Sequence, residues 1–316
     1  MLSSWEKILM TLATGEFLLG ILVNGFIALV NGIDWVKRKK LPPSDLILFI
    51  LAITRIGLSC GLMWNIYLTL ICFNIPTHVR IIDVFLVLTH NSNIWFTTIL
   101  SVFYFLKITN FSNPLFLWMK WRIDRIIFML LVGPLIVYFS IIFPMMQIVH
   151  YYYGSLFSRG KERNVSQEVQ VSKSKLIMLQ VPLGLLSLIP FILSTITFSL
   201  IIVFLWKHTQ QMQLNSTGSR DPSTEAHVRA MKAMSSFLIL FLFYYMGFFL
   251  NYWSHSETKS KLASLLGMSI MLFYPFGHSL ILILWISKLR QAILRVFRQV
   301  KEELLRTLKQ RKQNSN

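Results

Sequence analysis

The chain has 316 residues, 54% of them hydrophobic and only 14% charged, with a mean hydropathy of +0.58. A soluble domain carries about 25% charged residues, so the bulk of this chain is not a soluble enzyme or a soluble nucleic-acid-binding module. The net charge of +18 therefore has to be explained within a membrane protein.

A helix that crosses a bilayer needs about 20 apolar residues. Seven such stretches run along the chain, at about 8–30, 46–71, 84–108, 126–145, 176–206, 233–253 and 262–285. The first is too long for a signal-peptide core, and it has neither a basic leader nor a small-residue cleavage site. It is expected to be a retained helix. The sequence thus predicts an all-α membrane protein, a seven-transmembrane helix bundle over residues 1–286, followed by a cytoplasmic amphipathic helix and tail over 287–316.

Lysine and arginine in short loops set orientation. With the amino terminus outside, 21 of the 31 basic residues fall on the cytoplasmic side, nine fall outside, and Arg55 is left in the membrane. The net charge then reflects topology and attraction to anionic lipid, and no nucleic-acid motif is present. The longest outer loop carries Asn164-Val165-Ser166, an N-glycosylation acceptor, whereas Asn110 and Asn215 begin sequons on the inner side.

In chain order, the first span contributes Glu16 and Asn24. The second contains Arg55, followed by Gly57-Leu58-Ser59-Cys60-Gly61, the G-x-S-x-G pattern of serine hydrolases. A nucleophile elbow requires a strand-to-helix turn, and Ser59 sits inside a predicted helix. Small residues at this spacing instead mark close helix packing. An intramembrane serine protease would also need a histidine at the depth of Ser59, and His278 lies about 10 Å away in depth. His90 is near enough in depth but has no partner in the sequence to orient it. No histidine or cysteine spacing suggests a metal site, and no cofactor-binding motif appears.

An arginine deep in a span costs at least about 2.5 kcal/mol, so Arg55 is expected to face the bundle interior and find partners. At 1.5 Å per residue Arg55 lies about 13 Å and Asn24 about 9 Å from the cytoplasmic ends. Asn24, His278 and Ser279 are candidates to meet the guanidinium in a structural switch network, with Glu16 as a counter-charge. A transporter or channel using Glu16 and Arg55 as a charged path is an alternative reading. No internal repeat of the kind that builds many transporters is visible.

After the seventh span, Leu289, Ile293, Val296, Phe297, Val300, Leu304 and Leu308 recur at three- and four-residue steps, with Arg290, Arg295, Arg298 and Lys301 on the other side. This pattern predicts a basic amphipathic helix on the cytoplasmic membrane face, with a partner-docking helix or short coiled coil as the alternative.

The chain resembles the type 2 (bitter) taste receptors, seven-helix receptors coupled to G proteins. The resemblance rests on "NGFIALVNGIDWVKRKKL" from Asn24, "DLILFILAITRIGL" from Asp45, "SVFYFLKITNFSNPLFLWMKWRID" from Ser101, "RDPSTEAHVRAMKAMSSFL" from Arg220 and "YPFGHSLILIL" from Tyr274. Asp-Arg-Tyr after the third span, C-W-x-P on the sixth and N-P-x-x-Y on the seventh, usual in rhodopsin-like and odorant receptors, are absent.

The resemblance implies a non-enzymatic plasma-membrane receptor for small bitter agonists that activates a gustducin-like heterotrimeric G protein. It implies ligand-binding positions at Leu86, His90, Leu186, Phe243, Tyr244, Gly247 and Met268. It also implies G-protein coupling positions at Tyr104, Leu106, Lys107, His208 and Lys232. Two departures stand out: His90-Asn91 replaces the family's Asn-His, and Trp285-Ile286 replaces a glycine and asparagine between the seventh helix and the amphipathic one. The second departure predicts a more continuous helix through that junction.

Overall fold

The computed structural model describes residues 3–72, 81–109, 114–133, 187–211, 222–254 and 260–313, with positions 136, 139, 140, 143 and 147. The described residues form nine helices and no strand. These are α1 (Ser4–Arg38), α2 (Pro43–Cys72), α3 (Ile81–Ile108), α4 (Pro114–Trp121), α5 (123–133), α6 (Ser187–Gln211), α7 (Pro222–Trp253), α8 (Lys261–Trp285) and α9 (Ser287–Gln313). Much of the expected fourth span, the first part of the fifth, and the sequons at Asn110, Asn164 and Asn215 lie outside the described residues.

Local chemistry sets the helix ends. Ser3 and Glu6 form a reciprocal capping box at the start of α1, and Lys39 closes it in the left-handed region at φ 56° with its N–H donating to the Trp35 carbonyl. Pro43 opens α2 at a position where its missing amide is no loss. The side chain of Ser260 accepts from the Ala263 amide at the start of α8.

Among the described residues, five helices, α1, α2, α6, α7 and α8, are long and apolar enough to cross a membrane. Helix α3 is 28 residues long, but its middle is polar: Thr89, His90, Asn91, Asn93, Thr97, Thr98 and Ser101 are all buried there. Outward-facing apolar side chains are plentiful, among them Leu22, Leu29, Trp64, Phe249 and Leu284. An apolar rim around a polar seam suits a bundle solvated by lipid.

The core has two apolar layers. Ile27, Leu51, Ile99, Phe237 and Leu282 belong to one; Ala13, Leu58, Ile94, Phe241 and Leu272 belong to the other. On α2 the switch from one layer to the other falls between Leu51 and Leu58, which places Arg55 at the seam. The layers are clamped at both ends. Lys261 bridges Glu6 at 2.8 Å and donates to the Leu70 carbonyl, tying α8 to α1 and α2. At the other end Lys288 of α9 bridges Asp34 at 2.7 Å and Asp45 at 2.8 Å and donates to Asn31.

Helices α7 and α8 touch backbone to backbone. A Cβ added to Gly247 would lie 2.7 Å from the Gly267 carbonyl oxygen, and one added to Gly267 would meet the Gly247 oxygen and the Asn251 amide nitrogen, each at 2.7 Å. Only residues without a Cβ permit that approach.

The junction after α8 corrects one expectation. Trp285 and Ile286 do not make a more continuous helix: Ile286 is extended (φ −79°, ψ 114°) and separates α8 from α9. The physical reason lies on either side of it. Trp285 packs inward, Leu289 is fully buried, and Lys288 is drawn to the carboxylates of α1 and α2. A continuous helix would carry these side chains away from their partners.

Candidate functional site

Arg55 is 1% exposed and its guanidinium is surrounded by neutral partners from α3 and α8. Its Nε donates to Asn93 Oδ1 at 3.3 Å, Nη1 to Ser279 Oγ at 2.7 Å, and Nη2 to His278 Nδ1 at 2.7 Å and Tyr274 Oη at 3.5 Å. Ser279 passes the network on by donating to Asn24 Oδ1 at 2.7 Å, and Asn24 Nδ2 donates to the carbonyls of Gly20 and Pro275. Because an arginine is always a donor, His278 Nδ1 must accept, which puts the imidazole proton on Nε2.

The structure therefore brings Asn24, His278 and Ser279 together with Arg55 across three helices. Glu16 does not take part: among the described residues it forms no ion pair with Arg55, and Arg55 is satisfied by hydrogen bonds alone. The planar fork of arginine makes this possible, since five fixed donors can serve several acceptors at once.

Three partners were not legible as such in the sequence: Asn93, Thr97 and Tyr274. Thr97 and Tyr274 share a hydrogen bond at 3.0 Å, and Arg55 lies over the Tyr274 ring at 5.4 Å. A signal existed. Asn93, Thr97 and Ser101 recur every four residues and so share one face of α3. From that stripe Ser101 bonds Thr197, and the adjacent Thr98 bonds Ser194, linking α3 to α6.

The serine motif is a packing feature. Ser59 is 1% exposed, and its Oγ lies 3.7 Å from where a Cβ on Gly20 would be. Gly57 and Gly61 of the same motif face Thr89, Leu86 and Phe85 of α3. His278, bonded to Arg55, is not oriented toward a nucleophile.

The second layer holds several of the ligand positions. His90 stacks on Phe248 at 4.6 Å between ring centroids and on Tyr244 at 5.5 Å, and its Nδ1 is 2.5 Å from the Tyr244 hydroxyl. Nε2 of His90 is buried with no partner. Tyr244 and Met268 are fully buried in this layer, and Leu86 packs against it from α3. Gly247 sits in the α7–α8 contact, Phe243 is 48% exposed, and Leu186 lies outside the described residues.

At the Lys288 end of the bundle, Tyr104 is 9% exposed and Leu106 fully buried, the latter against Val102 and Phe116. Lys107 and Lys232 are exposed, and His208 is half-buried beside Phe204 at 6.2 Å. Burial disfavours the Lys288 ammonium, but hydrogen bonds to Asp34 and Asp45 outweigh it and raise its pKa above the usual 10.5.

Among the described residues, the site is a buried cation shared by several helices beside an aromatic layer. The family model "Taste receptor protein (TAS2R)" matches residues 1–301. The chain belongs to the bitter taste receptor family of G-protein-coupled receptors. The chain is 44% identical over 294 residues to taste receptor type 2 member 7 of Macaca mulatta, covering 92% of each chain. It is 43% identical over 302 residues to the member 7 receptor of Rattus norvegicus, covering 95% of this chain and 97% of the other. The receptor is thus a multi-pass membrane protein of a non-enzymatic class. The protease and transporter readings fall with that assignment.

Proposed function

We propose that this bitter taste receptor binds small bitter agonists from the extracellular side and activates a gustducin-type G protein at its cytoplasmic face. The full topology in this reading is seven spans over residues 1–286 in the plasma membrane, with the amino terminus outside. The remaining spans fall at about 84–108 and 126–145. Helix α9 lies on the inner leaflet, with Val296, Phe297, Val300 and Leu304 toward lipid and its lysines and arginines toward anionic headgroups.

The observation that best supports a ligand site is His90. A buried imidazole with a partnerless Nε2, sandwiched by Tyr244 and Phe248, is a polar handle in an apolar wall. Agonists sit against His90, Tyr244, Met268 and Leu86, with Phe243 at the margin, and the resemblance adds Leu186 to the ligand-binding set. Gly247 acts by letting α7 and α8 close together around that space. Arg55 with Asn24, His278 and Ser279 holds the bundle in register beneath it, and Tyr104, Leu106, Lys107, His208 and Lys232 form the coupling face.

The test is a panel of chemically unrelated bitter compounds applied to cells that express the receptor with a gustducin-type reporter. Concentration-dependent responses that vanish without the receptor are expected. A receptor that reaches the surface and answers no compound overturns the reading.

A further inference from the structure

Trp285 sits on the last turn of α8. Its ring meets Tyr104 of α3 edge-on, with centroids 4.8 Å apart and planes at 65°, and Phe237 of α7 at 6.1 Å and 75°. Phe237 in turn lies 4.1 Å from the ring of His278, which accepts from Arg55. One tryptophan therefore joins α3 and α7 to α8.

The residues just after Trp285 fix the direction of its ring. The chain breaks at Ile286, Lys288 is held by Asp34, Asp45 and Asn31, and Leu289 is fully buried. With the chain held on that side, the indole is directed inward against the core. It lies on Tyr104, which is only 9% exposed.

We propose that Trp285 is an autoinhibitory latch: it pins α3, α7 and α8 together and covers Tyr104, so that the G protein engages only after the ring withdraws. The latch rests on the proposed place of Tyr104 in the coupling face. A side chain that must contact a partner is covered here by a residue of the same chain. Aromatic pairs of this geometry are weak enough to open and re-form without unfolding either helix.

The test measures agonist-independent G-protein activation per receptor at the cell surface. Trp285→Ala raises it by roughly two- to tenfold, the population shift that losing an aromatic pair allows. Trp285→Phe, which keeps a ring on Tyr104, stays near wild type. Where Trp285→Ala fails to reach the surface, Trp285→Leu replaces it with the same expected result.

A second readout does not depend on coupling. Backbone amides of residues 286–290 in the purified receptor exchange with deuterium faster in Trp285→Ala than in wild type and Trp285→Phe. Unchanged exchange overturns the latch as a contact. Faster exchange with unchanged or lower basal activity overturns it as an inhibitor and leaves Trp285 a packing residue. If wild type and every variant are equally silent toward all agonists, the coupling reading itself has failed, and the latch falls with it.

Discussion

Replacing Arg55 with alanine leaves two buried acceptors without a donor, His278 Nδ1 and Asn93 Oδ1; Ser279 keeps Asn24, and Tyr274 keeps Thr97. Each orphaned buried group costs about 1–3 kcal/mol, and emptying a large buried side chain adds about 2–5 kcal/mol for the cavity. The relief of removing a charge from the membrane offsets at least about 2.5 kcal/mol of that. The net loss is on the order of 3–5 kcal/mol, much of the stability of an ordinary fold. Lysine has one donor head in place of a planar fork, so Arg55→Lys keeps some of the contacts and loses less. Ser279→Ala gives up two hydrogen bonds worth about 0.6 kcal/mol each in a bilayer, while Arg55 and Asn24 keep their other partners. Surface labelling, thermal unfolding in detergent and dose–response curves for unrelated agonists should therefore rank the damage as Arg55→Ala, then Arg55→Lys, then Ser279→Ala. Every agonist should be affected alike. A loss confined to one agonist, with normal surface expression, would place Arg55 in the ligand site and refute the reasoning.

The α7–α8 contact makes a second prediction: Gly247→Ala and Gly267→Ala each force the helices apart and destabilise by about 1–3 kcal/mol. Gly15→Ala and Gly25→Ala, which meet nothing within 4 Å, remain neutral or slightly stabilising in the same thermal assay; equal effects at all four positions would contradict the close-approach argument. His90→Asn removes both ring contacts, so it should change the rank order of agonists while leaving surface expression near wild type, and a uniform loss would instead make His90 a packing residue. Lys288→Met breaks three contacts at once and should lower stability at any pH from roughly 6 to 9. The Lys288 contribution persists below its raised pKa and fades only as pH climbs through it; a Lys288→Met penalty that vanished by pH 8 would contradict the pairing. Topology predicts sugar on Asn164 alone, so Asn164→Gln should abolish the glycosidase-sensitive mass shift, and modification of Asn110 or Asn215 would invert the orientation.

By itself the sequence determined the membrane class, the helical segments and the family, because these depend on local properties. Hydropathy over about 20 residues, the distribution of basic side chains and long stretches of family-like sequence need no knowledge of packing. Depth was legible too. A constant rise per residue puts Arg55 level with Asn24, His278 and Ser279, and these are the side chains that share one network.

What a sequence does not carry is the rotation of each helix about its axis and the identity of the neighbour it turns toward. That is why Tyr274 and Asn93, which depth alone did not single out, also reach Arg55. The resemblance makes Gly247 a ligand-binding position, and only the tertiary structure adds that it touches the backbone of α8. The sequence also hid the break at Ile286. Local propensity permits a continuous helix there, but Asp45 and Asn31, which hold Lys288, lie 243 and 257 positions away from it in sequence. The buried Leu289 likewise packs into a core drawn from distant helices. Long-range contacts of that kind outweigh local propensity, and only the tertiary structure supplies them.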